Sequence, residues 1–401
     1  MQRSQVGFLF LNVGHFLDHL FVLIFAAVAA LRLTQEWGMS YAALVPYATP
    51  SFVAFGLCAI PAGWLADRWS REGMMAVFFI GIGLSAILAG LADTPLQLAA
   101  ALTLVGVFAA IYHPVGLAMV VEGRRKTGIA LAVNGVFGNM GVATAALLTG
   151  FLIDASGWRS AFFVPGAASV VIGGLYLVFL RGGGAAQAAD AAAPAGGEVA
   201  SAPLPRDVLL RVFAIILFTT ALGGLIFQST TFSLPKIIDE RLAELAGSAT
   251  MVGWYAFVVF SVAALAQLAV GWLVDAFSLR AVFAVVAASQ AAFFLAMTHL
   301  TGVASLLVAT GFMLAVFGQI PINDVLVGRI ARSEWRSRAY ALRYIVTFTV
   351  MATAVPLIGW LHGTWGFSVL FRLLAAAAFA IFLAVLLLPR AAASLDRRVA
   401  A

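Results

Sequence analysis

The sequence predicts an all-α membrane protein: twelve transmembrane helices in two pseudo-symmetric six-helix bundles, with both termini cytoplasmic. Three observations carry that expectation. Hydrophobic residues make up 63% of the 401 and charged residues only 10%, against roughly 45–50% and 25% in soluble domains. Twelve apolar runs are long enough to cross a bilayer, which takes about 20 residues each. The two halves of the chain also repeat one another across a stretch with no apolar periodicity.

In the first half the runs lie at about 6–31, 41–66, 73–92, 96–121, 127–153 and 160–180, each bounded by charges or turn residues. In the second half they lie at about 208–232, 249–274, 279–299, 302–330, 337–361 and 367–388. Pro46, Pro50, Pro61, Pro321 and Pro356 interrupt spans and predict kinks. Gly135, Gly138 and Gly141 recur every third residue on the fifth run, the spacing of close helix packing. Between runs six and seven, "RGGGAAQAADAAAPAGGEVASAPLPR" is rich in Gly, Ala and Pro and reads as a flexible linker. The expected domains are therefore an N-terminal bundle 1–180, a cytoplasmic linker 181–207, a C-terminal bundle 208–388 and a tail 389–401.

Basic residues set the orientation. With the N-terminus inside, Arg3, Arg68, Arg71, Arg124, Arg125, Lys126, Arg329, Arg332, Arg336 and Arg338 fall in cytoplasmic segments, while only Arg32, Arg159, Lys236 and Arg241 fall outside. That is the positive-inside bias of short loops. The net charge of +6 is thus spread over topology signals rather than gathered in a nucleic-acid patch. The single cysteine, Cys58, excludes an intrachain disulfide.

The repeat is visible in two places. "GWLADRWS" from Gly63 returns as "GWLVDAFS" from Gly271, an offset of 208 residues, and "GWRSAFF" from Gly157 returns as "GFSVLFR" from Gly366, an offset of 209. Parallel six-helix halves related by an axis along the membrane normal describe one major class of secondary transporter.

With these features in place, "GWLADRWSREG", Gly63 to Gly73, resembles the loop motif of the major facilitator superfamily. Span count, duplication and linker extend the resemblance over the whole chain. It implies the major facilitator fold, a close helix approach at Gly63, and a cytoplasmic charge network of Asp67, Arg68 and Arg71 that sets the inward/outward equilibrium. The second copy keeps Gly271 and Asp275 but has Ala276 in place of the arginine, so a weaker network is expected there. In the first half, "GHFLDHLFVLIFAAVAAL", "AAIYHPVGLAMV" and "GNMG" are similar to the fosmidomycin-resistance branch, which implies proton-coupled export. Val115 stands where that branch often has an acidic residue, and Ala145-Ala146 where such antiporters usually have Gly-Pro.

The chemistry is expected at polar residues inside the spans. In "GHFLDHLF", His15, Asp18 and His19 share one helix face, and Asn12 extends it by a turn. A charge at mid-membrane costs roughly 2.5–3.5 kcal/mol on insertion scales, so such residues face a polar cavity or each other. The resemblance puts helices one, four, seven and ten around that cavity, which brings His113 within reach. Asp18 is the expected proton carrier, with His15, His19 and His113 tuning it or contacting solute. The alternative is a structural polar knot. His-x-x-x-His also admits a transported metal, but no Met-x-x-x-Met or Cys pair accompanies it, so no metal site is expected. In the second half, Gln319, Asn323, Asp324 and Arg343 are the solute-binding candidates. Arg343 either binds an anionic group through its planar fork or pairs with Asp324.

No catalytic set and no nucleotide-binding glycine loop is present. The expected activity is therefore not enzymatic, needs no cofactor and is not powered by ATP. The leading reading is secondary active transport of a small organic solute by alternating access, proton-coupled and directed outward. Import of an organic anion is the alternative. A sensor or lipid-handling protein on the same scaffold is a third, though a sensor would be expected to carry a soluble output domain. The expected partners are the solute, protons and the lipid of the inner (plasma) membrane, with no nucleic acid and a monomeric state.

Overall fold

The computed structural model describes residues 2–122, 127–182, 206–330 and 333–388, with backbone alone at 206–209, 324, 327–330 and 333–344. Among these residues twelve helices are long and apolar enough to cross a membrane. The first six are α1 (Arg3–Glu36), α2 (Tyr41–Arg68), α3 (Arg71–Gly90), α4 (Pro95–Val121), α5 (Thr127–Ser156) and α6 (Ser160–Arg181). The others are α7 (Leu210–Arg241), α8 (Ala249–Ala276), α9 (Leu279–Met297), α10 (Gly302–Asn323), α11 (Ile345–Trp365) and α12 (Phe367–Leu386). Beyond their apolar windows, the helix of α10 runs on to Ile330 and that of α11 begins at Ser333. The expected spans are all present. Most of the linker, the tail 389–401, and Arg124, Arg125, Lys126 and Arg332 lie outside the described residues.

Local chemistry sets the helix ends. Ser40, Ser70, Thr94 and Ser278 accept backbone N–H groups at the starts of α2, α3, α4 and α9, filling donors that a helix start leaves open. Gly157 and Gly366, partners in the sequence repeat, both have positive φ, 85° and 69°. Each turns the chain tightly into the last helix of its half, in a conformation that penalises a Cβ.

The described residues cluster into two units. The first holds α1–α6 together with Gly247–Phe257, the start of α8 and the two residues before it, and the second holds α7, the rest of α8 and α9–α12. In the first unit α1 packs along α5, α3 along α6 and α2 along α4. In the second, α7 packs along α11 and α9 along α12, so the principal pairings of the first unit recur. Phe78, Phe79, Phe162 and Tyr112 fill the first interior, and Phe260, Phe283, Phe294 and Phe312 the second. Outward faces are apolar as well, with Leu57, Ile60, Leu265, Leu268 and Leu307 more than half exposed. Such faces suit acyl chains, where only a helix or closed barrel satisfies its own backbone.

Two features bear on the site. Arg3 closes the first unit: its Nη1 donates to Gly182 O at 2.7 Å and its Nη2 to Phe179 O at 2.5 Å, with the guanidinium 4.7 Å over the Phe179 ring. In α4, Tyr112–Gly116 forms a wider π-turn. Pro114 at its centre has no N–H for the α-ladder, and the wider turn accommodates that break.

Candidate functional site

The polar face of α1 lies against α4 and α5. His15 reaches α5, where its Nδ1 sits 2.8 Å from Asn134 O. A carbonyl can only accept, so Nδ1 carries a proton, and in the neutral ring Nε2 presents a lone pair. One turn along, His19 Nε2 is 3.1 Å from that Nε2, which makes His19 the donor. Asp18 turns instead to α4, with Oδ2 3.4 Å from His113 Nε2. Asp18 Oδ1 is buried with no hydrogen-bond partner among the described residues.

Close approach of α1 and α5 depends on absent side chains. A Cβ on Gly138 would lie 2.7 Å from the His15 ring, and one on Gly141 would lie 2.2 Å from Phe16 O. Gly135, by contrast, faces open space, so close packing uses two glycines of the predicted three. Tyr112 supports the arrangement from the other side: its ring stacks on His15 with centroids 4.9 Å apart. Its hydroxyl donates to Leu11 O at 2.8 Å. Asn134 Nδ2 donates to Tyr112 OH at 2.9 Å and to Asn12 Oδ1 at 3.0 Å.

The cluster is not uniformly wet. Asp18 is 1% exposed and His15 7%, so the carboxylate lies behind the imidazoles, not on an open wall. His113, with 24% of its side chain exposed, is the accessible edge, and His19 is half-buried. The His113 ring stands at 90° to His15 and 87° to His19, with centroids 5.5 and 5.6 Å away. One nitrogen from each of His15, His19 and His113 lies within 4.8 Å of the others.

In the second unit, Gln319 is buried and accepts from Gln290 Nε2 at 3.1 Å, while its own Nε2 lacks a partner among the described residues. Gly223 of α7 faces Gln319 and Asn323. The side chains of Asp324 and Arg343 lie outside the described residues, so the expected choice between an ion pair and anion binding falls there too.

At the expected gate, Arg71 Nη2 pairs with Asp67 Oδ1 at 3.0 Å and Nη1 with Glu122 Oε1 at 3.5 Å. Arg68 lies 5.3 Å over the Trp64 ring. Gly63 approaches Pro114, its Cβ position 3.3 Å from that ring, whereas the equivalent position on Gly271 meets nothing within 4 Å. Asp275 at the end of α8 is exposed.

Sequence reasoning missed Tyr112, Asn134, Gln290 and Glu122. Asn134 carried a usable signal, an amide within the apolar run of α5 one helical turn before Gly138. It also missed an ionic group in the second unit. There Lys236 Nζ is 2.7 Å from Asp239 Oδ2, and Glu240 Oε1 is 2.8 Å from His362 Nε2.

A family model described as Major Facilitator Superfamily matches residues 11–242 and 237–400. The chain is 25% identical to the Gallate transporter of Pseudomonas putida over 275 residues, covering 61% of this chain and 60% of that protein. It is 30% identical to Multidrug resistance protein MdtG of Enterobacter lignolyticus over 209 residues, 51% of this chain and 47% of that protein. Each match thus spans less than two thirds of the relative's length. Among solved structures, a bacterial homologue of the human lysosomal transporter Spinster has the same fold. Its TM-score is 0.71 at 16% identity, covering 99% of this chain and 97% of that chain.

Proposed function

The chain belongs to the Major Facilitator Superfamily, and from that premise we propose that it is a secondary active transporter. It moves a small organic solute across the inner membrane by alternating access of its two six-helix bundles, with both termini cytoplasmic. The observation that carries this reading is the cluster of Asn12, His15, Asp18, His19 and His113 on helices α1 and α4, which are long and apolar enough to cross a membrane. A charged side chain at mid-membrane costs roughly 2.5–3.5 kcal/mol on insertion scales, and ionisable residues within spans mark solute or ion pathways. The absence of a phosphate-binding glycine loop from the sequence supports an ion gradient as the energy source, and protons are the proposed ion. Gln319 and Asn323, beside Gly223, are the proposed solute contacts of the second unit.

Export is the first reading, supported by the likeness of α1 and α4 to the fosmidomycin-resistance branch. The second is import of an organic acid, supported by the gallate transporter, which aligns over more of this chain than the multidrug protein does. Proteoliposomes separate them. Exchange for protons accumulates solute when the lumen is acidic, whereas co-transport accumulates it when the lumen is alkaline. With gallate and a cationic dye as test solutes, we expect dye uptake under an acidic lumen. Gallate uptake under an alkaline lumen would establish the second reading. If neither solute responds to either gradient, proton coupling fails for both.

A further inference from the structure

We propose that His15, His19 and His113 form a binding site for a divalent first-row transition metal, of the class Co²⁺, Ni²⁺ or Zn²⁺. The site draws on the same histidines as the transport reading, but no transport step enters the argument, so the two are tested separately.

The donor set comes first. Three imidazole nitrogens within 4.8 Å of one another make a nitrogen-rich site without thiolate or thioether, which suits these ions rather than Mg²⁺ or Ca²⁺. In a tetrahedral site with metal–nitrogen bonds of about 2.0–2.1 Å, neighbouring ligands sit about 3.4 Å apart. His15 Nε2 and His19 Nε2, at 3.1 Å, already have that spacing. The His113 nitrogen needs to close by no more than about 1.4 Å to reach it, and its perpendicular ring is the accessible one of the three.

The supporting shell is also present. A ligating histidine usually gives its other N–H to a backbone carbonyl or carboxylate, which fixes tautomer and ring angle. His15 does this through Nδ1–H to Asn134 O, between the Tyr112 ring and the bare Gly138 backbone. Asp18 places a carboxylate 3.4 Å from His113 Nε2 and supplies one negative charge against the ion. On metal entry the His19 proton now shared with His15 moves to His19 Nδ1, and both Nε2 lone pairs turn to the ion. The exposed edge of His113 is the way in.

The test uses the full chain without a polyhistidine tag, in detergent, titrated with Co²⁺ and followed by visible absorption. We expect one saturable equivalent with the intense bands of a four-coordinate ion, displaced by Zn²⁺. His113→Asn or His15→Asn should weaken binding at least tenfold. His299→Asn and His362→Asn, the remaining histidines of the five, should leave the isotherm unchanged. His113 tolerates substitution because it is partly exposed, so its variant keeps the test open if His15→Asn fails to fold. The proposal is overturned by no saturable Co²⁺ uptake, or by an isotherm that His113→Asn leaves intact. Gradient-driven flux measured under chelator reads the transport proposal separately.

Discussion

A carbonyl oxygen never donates, so the contact between His15 and Asn134 decides where one proton sits and which nitrogen of His15 is left open. The partner is backbone, but the Asn134 side chain has its own task of tying Tyr112 to Asn12. These two roles can be separated. In Asn134→Ala the carbonyl remains, while Asn12 Oδ1 loses its donor and Tyr112 OH keeps only Leu11 O. Buried groups left unpaired cost about 1–3 kcal/mol each. We therefore expect a clearly lower thermal midpoint in detergent with Co²⁺ affinity within about threefold of the parent; an unchanged midpoint would remove Asn134 from the network. Sequence alone exposed His15, Asp18 and His19 because ionisable groups stand out in an apolar run. Tyr112 and Asn134 stayed hidden because their polar atoms are spent between helices, and which helices meet is a property of the fold.

Helix pairs form the next level. The pairings of α1 with α5 and α3 with α6 recur as α7 with α11 and α9 with α12, as a duplicated sequence should give. The span count was legible from length and apolarity, and the Gly157/Gly366 echo, legible as a repeat, is in both halves a turn with positive φ. Partner choice was less legible. Glycine at every third position suggested one packed stripe, yet only Gly138 and Gly141 touch α1, while Gly135 has free space. That difference gives an internal control. Gly141→Ala drives a Cβ into the immobile carbonyl of Phe16 and should cost about 1–3 kcal/mol by overpacking. Gly135→Ala should gain up to about 1 kcal/mol from helix propensity. Thermal unfolding of the two variants should shift in opposite directions, and equal shifts would refute the packing argument. The charge network behaved similarly. Asp67 and Arg71 pair, Glu122 completes the group and Arg68 stacks on Trp64. A loop motif cannot reveal what the end of α4 brings to it.

At the scale of the whole molecule, the proposed orientation rests on the basic residues, whose excess on one side of the spans marks that side as the cytoplasm. The lone Cys58 makes this easy to examine. In a Cys58→Ser background, Gln187→Cys in the linker should react with an impermeant maleimide only in inside-out vesicles. Glu244→Cys, between α7 and α8, should react only in right-side-out vesicles or intact cells. Labelling of both from one face would overturn the orientation.

The grip of Arg3 on α6 has a bearing on synthesis. Its acceptors, Phe179 and Gly182, stand 176 and 179 residues downstream. At translation rates of roughly 5–20 residues per second, α1 waits on the order of ten to thirty seconds for them to emerge. Until then the first helix resides in the bilayer with its amino end untethered, and its histidines and aspartate await the later helices that will shelter them. The order of synthesis thus sets the polar face of α1 in place well before the His113 and Asn134 that pair with it.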